Sequence, residues 1–199
     1  MKLIVVRHGQ TEHNAKGLLQ GHVDGQLNEV GMTQAKELAL KLKDEKIDAI
    51  FSSDLLRAKH TTREIAAYHR APVFYVKDLR EQNYGIFQLM EVDKFLSAGG
   101  ASGASRVRFR PEGGESLLDL KRKVGSFIDG LYEKYEGKTV VISAHAGVVW
   151  CIYAIYAHVP LQKAIKMHPK NTGTLIVGVD KDGGRVLGAM PPVPSTGVN

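Results

Sequence analysis

Short apolar runs alternate with longer amphipathic stretches along most of this chain. Residues 2–6 contain Leu3-Ile4-Val5-Val6, with the length and branching of a buried strand. Residues 47–52, 73–76 and 139–143 repeat that pattern. Between these runs the apolar positions recur at helical spacing. Asn28 stands where an N-cap belongs, ahead of a helix expected to reach about Glu45. Helices are also predicted over 55–68, broken before Pro72, and over 116–135. Residues 147–158 are so uniformly apolar that their helix must be largely buried. Residues 174–179 and 186–190 flank Asp182-Gly183-Gly184 and read as a hairpin.

Strands separated by helices predict an α/β fold: a three-layer α/β/α sandwich with a mainly parallel, mixed central sheet and an antiparallel edge. The 199 residues fit one domain over 1–190, followed by a flexible tail over 191–199 that holds three prolines. Residues 97–105 consist only of Gly, Ala and Ser and are expected to form a mobile loop.

Composition narrows the functional classes. At 43% hydrophobic and 24% charged residues, the chain has the make-up of a soluble globular protein. Its longest apolar stretch, 148–157, is too short to cross a bilayer, and no signal-peptide pattern is present, so a cytoplasmic location is expected. The single cysteine, Cys151, lies inside that stretch and reads as a buried structural thiol. The formal net charge of +6 suits nucleic acid, a membrane surface or a small anion. The basic residues are dispersed, apart from Arg106, Arg108, Arg110 and the run Lys121-Arg122-Lys123, which reads as a solvated helix face. No nucleic-acid-binding motif accompanies them. A small anionic molecule is therefore the expected partner, with no nucleic acid and no membrane; the chain is expected to be a monomer or homodimer. The eight histidines show no metal-ligand spacing, and neither a metal nor another cofactor is expected.

Candidate chemistry gathers where strands end. Arg7-His8-Gly9 follows the first strand directly, and ligand sites in open α/β sheets form at that edge. An arginine offers a planar fork of donors to phosphate, a histidine offers a nitrogen that is nucleophilic when neutral, and Gly9 permits a tight turn and close approach to a ligand. Ser52-Ser53-Asp54-Leu55-Leu56-Arg57 follows the second strand. Ser52, Ser53 or Asp54 is expected to cap the next helix, placing Arg57 in its first turn beside the N-terminal dipole. Ser143-Ala144-His145-Ala146-Gly147 is a third strand end leading into a helix, and brings His145 to the same edge. Glu81, in Leu79-Arg80-Glu81, offers the carboxyl group that proton transfer to a leaving oxygen requires, although pairing with Arg80 or Lys77 would explain it equally well.

Taken in order, these fragments resemble the histidine phosphatase superfamily, which includes the phosphoglycerate mutases. The likeness runs from Arg7-His8-Gly9-Gln10-Thr11-Glu12-His13-Asn14 through Gln20-Gly21 and Leu27-Asn28-Glu29-Val30-Gly31. It continues through Ser52–Ala58, Leu79-Arg80-Glu81, Pro111-Glu112-Gly113-Gly114-Glu115-Ser116, Ser143-Ala144-His145 and Asn171-Thr172-Gly173. The resemblance implies that His8 is the nucleophile, transiently phosphorylated, and that Glu81 is general acid and then general base. Arg7, Arg57 and His145 would bind the phosphoryl oxygens, with Asn14 adding a donor. Gln20 would lie nearer the substrate rim, and Ala146 would be a further substrate contact.

The same core serves two chemistries. A phosphatase passes the phosphoryl group to water, and a mutase returns it to an organic acceptor. Mutases of the resembling group carry a long insertion between the positions of Glu81 and Pro111, and here that segment is short, which favours water access and hydrolysis. Tyr84-Gly85 with Gln88 is closer to the mutase pattern, and Arg106, Arg108 and Arg110 offer either a clamp for a second anion or an extended solvated strand. The expected activity is metal-independent phosphomonoester hydrolysis, with phosphoglycerate mutase as the alternative.

Overall fold

Alternation along the first strand sets the layers. In the computed structural model, which describes residues 1–103 and 105–190, β1 (Lys2–Arg7) sends Leu3 and Val5 into one apolar core and Ile4 and Val6 into another. All four are fully buried, as a strand covered on both faces requires. After α1 (Glu12–Ala15) come α2 (Glu29–Leu42), β2 (Ala49–Ser53) and α3 (Leu56–Ala66). The chain continues through β3 (Val73–Val76), α4 (Val92–Ala101), α5 (Leu117–Tyr135) and β4 (Thr139–Ala144). Then follow α6 (Ala146–Tyr156), α7 (Leu161–Ala164), β5 (Thr174–Asp180) and β6 (Gly183–Met190).

The strands make one sheet in the order β3-β2-β4-β1-β5-β6. The first four are parallel, β5 is antiparallel to β1, and β6 is antiparallel to β5. Leu38 and Leu42 of α2, with Ile65 of α3, cover one face. Leu120, Val124 and Ile128 of α5, with Val148 and Ile152 of α6, cover the other. The predicted three-layer α/β/α sandwich is the observed one. Cys151 is buried and unbridged, and burial pushes its thiol pKa upward.

Register is what matters for function. Arg7 lies beside Ala144, Ser52 beside Ser143 and Ser53 beside Val76. Four parallel strands therefore end at one level, and the segments leaving them carry His8, Arg57, Glu81 and His145.

Two local expectations are corrected. The first half of the segment expected to be a loop over 97–105 belongs to α4, which begins at Val92. Its Gly/Ala/Ser composition shows no helical stripe, but Phe95 anchors it. That ring is 1% exposed and meets Tyr84, Phe87 and Phe109 at centroid distances of 5.2, 5.6 and 5.2 Å. Burying such a side chain is worth about 1.5–3 kcal/mol.

The second correction concerns the start of α3. None of Ser52, Ser53 and Asp54 occupies its N-cap position, which belongs to Leu55, without a side-chain cap bond. The Leu56 N–H instead donates to Asp24 Oδ1 at 2.7 Å. Asp54 is held elsewhere, accepting from Arg80 Nε and Nη2 at 2.6 Å each. Arg80 thus pairs with Asp54, not with Glu81. Ala104 and the tail expected over 191–199 lie outside the described residues.

Candidate active site

His8 leaves the end of β1 with its backbone N–H bonded to the Ala144 carbonyl at 3.0 Å. Its Nδ1 lies 2.7 Å from the Gly9 carbonyl oxygen. A carbonyl only accepts, so in the neutral ring Nδ1 carries the hydrogen and Nε2 keeps its lone pair. Burial, followed by the charges of Arg57 and Arg7, holds the His8 pKa well below 6.5. Gly9 permits a close approach between backbone segments. A Cβ there would fall 2.4 Å from the Gly31 carbonyl oxygen, so its absence lets the loop after β1 cross closely over α2.

The two arginines are tied to backbone carbonyls on their outer sides. Arg7 Nη1 donates to Pro169 O at 2.6 Å. Arg57 Nη1 and Nη2 donate to Val23 O at 3.0 Å and Gly21 O at 2.8 Å. In both, Nε is buried and has no partner among the described residues. Two guanidinium groups that line one cavity with a histidine make a cradle for an anion. Burial lowers the Arg57 pKa to about 10, opposed by Glu81 and Asp24, so it remains charged at neutral pH.

His145 is fully buried behind His8, with ring centroids 5.1 Å apart. Its Nε2 lies 2.8 Å from Ser53 Oγ, while Nδ1 is a third buried nitrogen without a partner among the described residues. It does not reach the cavity wall, unlike Arg7, His8, Asn14, Gln20, Arg57, Glu81 and Ala146, which all line one cavity of about 330 Å³. Burial and the Arg57 charge hold the His145 pKa below 6.5 as well.

Glu81 is fixed by backbone amides. Its Oε1 accepts from Gln82 N–H at 2.8 Å and from Gly147 N–H at 3.1 Å, in the first turn of α6. The end of a helix dipole is a favourable place for a carboxylate. Gly147 is the residue that sequence reasoning missed here. A Cβ at that position would stand 2.2 Å from Glu81 Oε1.

The remaining walls are partly as expected. Asn14 Oδ1 accepts from Thr11 N–H and from Asn171 Nδ2, which leaves its NH2 for a ligand. Gln20 is buried in the wall, not at the rim, with Nε2 bonded to Thr11 Oγ1 and Oε1 without a partner among the described residues. Tyr84 and Asn171, from fragments already noted in the sequence, also line the cavity, as do Val92, Trp150 and His168, which only their spatial convergence marks. Arg106, Arg108 and Arg110 are absent from its lining and form neither an anion clamp nor an extended strand. Arg106 stacks over Phe95 at 4.6 Å and Arg110 pairs with Asp119 at 2.6 Å, while Arg108 is exposed. Buried Val107 between them belongs to the main core.

This arrangement sets a neutral imidazole nitrogen, guanidinium donors and a carboxylate around one small space. It is suited to binding a phosphoryl group and moving it. The family model of the histidine phosphatase superfamily (branch 1) matches residues 3–189, and the chain belongs to that superfamily. Two proteins of Arabidopsis thaliana, phosphoglycerate mutase-like protein 4 and a metal-independent phosphoserine phosphatase, are each 36% identical over 159 residues. The match spans 76% of this chain and 69% and 67% of theirs. Among solved structures, a mycobacterial glucosyl-3-phosphoglycerate phosphatase in complex with VO3 superposes with a TM-score of 0.82. It is 27% identical, and the match covers 93% of this chain and 95% of that one.

Proposed function

We propose that the protein hydrolyses a small phosphomonoester through a phosphohistidine on His8, with Glu81 as acid and then base. The observation that carries this reading is the cradle: His8, with a lone pair on Nε2, lines one cavity together with the guanidinium groups of Arg7 and Arg57. The phosphoryl oxygens would take hydrogen bonds from these donors and from the Asn14 amide. Binding then aligns phosphorus with His8 Nε2, so that positioning and charge stabilisation carry the catalysis.

In the first step the Nε2–P bond forms, the ester P–O bond breaks, and Glu81 delivers its proton to the departing oxygen. In the second, Glu81 takes a proton from water as the water oxygen attacks phosphorus, and the N–P bond breaks with release of phosphate. The name of one relative, a metal-independent phosphoserine phosphatase, supports a route with no metal step.

Water is favoured over an organic acceptor because a mutase must hold on to an intermediate bearing a second anionic group. The arginines that could have clamped that group are engaged with Phe95 and Asp119 or face solvent. The test is to incubate the enzyme with a labelled phosphomonoester, scoring acid-labile label on protein, free phosphate and transfer to 3-phosphoglycerate. Label on the wild type, none on His8→Ala, turnover lowered on the order of 10⁴-fold in that variant, and release dominated by free phosphate are expected. Dominant transfer would replace hydrolase by mutase; undiminished labelling of His8→Ala would remove His8 as nucleophile.

A further inference from the structure

The cavity has two unlike halves. Its floor is the charged cradle. Its mouth is bounded by a lip in which residues 18–19 and 89–92 lie side by side. Leu19 N–H donates to Met90 O at 2.9 Å, Leu89 N–H donates to Leu19 O at 2.6 Å, and Leu18 bridges to Glu91. The lip brings Leu18, Leu19 and Val92 to the cavity wall. Val92 stays 40% exposed, and beside it Leu89 and Met90 are 44% and 40% exposed. Apolar side chains left in water at the rim of a binding cavity gain by being covered.

The rest of the mouth is consistent with this. Trp150 of α6 lines it, and its indole N–H is already bonded to the Met167 carbonyl at 2.6 Å, so the ring face is what remains for a ligand. Among the described residues, His168 is the one side chain on the lining, beyond Arg7, Arg57 and His8, able to carry positive charge. Arg106 would be the obvious partner for a second anion, but it lies over the Phe95 ring with Nη1 on Gln82 Oε1 at 3.2 Å. A carboxylate or second phosphate placed in this mouth would lose water without gaining an arginine or lysine partner.

We propose that the leaving group is neutral and apolar, so that the substrate is a phosphoryl monoester of an aromatic or alkyl alcohol. Its hydrocarbon part sits in the mouth lined by Leu18, Leu19, Val92 and Trp150. The inference rests on the phosphomonoesterase reading and adds a substrate class to it.

Benzyl phosphate, O-phosphoserine and 3-phosphoglycerate separate the two ideas, since all three release poorly acidic alcohols. The expected result is a kcat/KM for benzyl phosphate about tenfold or more above that for either charged ester. Val92→Lys, at an exposed position, should narrow that ratio by about threefold or more. Equal or better turnover of the charged esters by the wild type would overturn the apolar leaving group and leave the hydrolase intact. A ratio unmoved by Val92→Lys would remove the lip from recognition and overturn the inference as argued. No phosphate from any of the three would remove the hydrolase reading, and this inference with it.

Discussion

The floor and the lip of the cavity are built in opposite ways. The floor is made of strand ends whose level is set by the hydrogen-bond register of four parallel strands, and its side chains are locked by backbone partners. The lip depends on two backbone bonds between loops and on a helix with Phe95 and Gly99 as its buried residues. Rigid positioning is what in-line transfer demands of the floor. A thinly anchored mouth is what lets one floor serve different leaving groups, because loops on a fixed scaffold change without disturbing it.

Four substitutions break or sharpen that contrast. The largest effect belongs to Glu81→Gln on the floor. Turnover of esters with poor leaving groups should fall about 10²–10⁴-fold, while an aryl ester that needs no protonation falls far less. Equal losses on both, measured by steady-state phosphate release, would remove proton transfer as the role of Glu81.

Arg57→Gln should lower kcat/KM by about 10²–10³-fold and also move the acid limb of the pH profile. His8 must be neutral to attack. Its pKa is held below 6.5 by burial first and Arg57 next, so wild-type activity persists below that pH until His8 protonates. Removing the Arg57 charge raises the His8 pKa, and the limb shifts to higher pH. Ionisation of the substrate is common to both enzymes and cancels in the comparison. An unmoved limb would show that Arg57 does not depress His8.

Gly147→Ala is smaller and more local. The added Cβ falls 2.2 Å from Glu81 Oε1 and must push the carboxylate aside. We expect kcat on poor leaving groups to fall about tenfold, KM to change little, and the melting temperature to move by only a few degrees. A change in KM alone would mean that Glu81 had not been displaced.

The smallest catalytic effect should come from Arg106→Ala, behind the lip. Loss of its stacking on Phe95 should cost about 1 kcal/mol in denaturant unfolding and change kcat/KM less than about twofold with any monoester. A large, selective loss on doubly anionic substrates would return Arg106 to the role of a clamp.

The same contrast explains what could be read in advance. Arg7, His8, Arg57 and Glu81 were legible because each lies at or after the end of a recognisable strand, and parallel strands bring their carboxyl ends together; His145 follows a strand too, yet stays behind His8 and off the cavity wall. The layers were legible because Leu3 to Val6 alternate between two cores. α4 was not, since its anchor is a ring packed against Phe109 from a segment of chain beyond the helix itself. Gly147 was not, because its contribution is a backbone N–H and the absence of a Cβ. Nor was the start of α3, where three local capping candidates were passed over for Asp24, 32 residues earlier.

That distant cap has a consequence for the order in which the protein assembles. The turn at Gly21–Asp24 provides the acceptor for the Leu56 amide and both carbonyls that hold Arg57. The first turn of α3 and the geometry of its arginine therefore depend on one and the same loop closure across the intervening chain. Protection of the Leu56 amide against hydrogen exchange should consequently appear together with phosphate affinity during refolding. One backbone hydrogen thus serves as a clock for the assembly of the cradle.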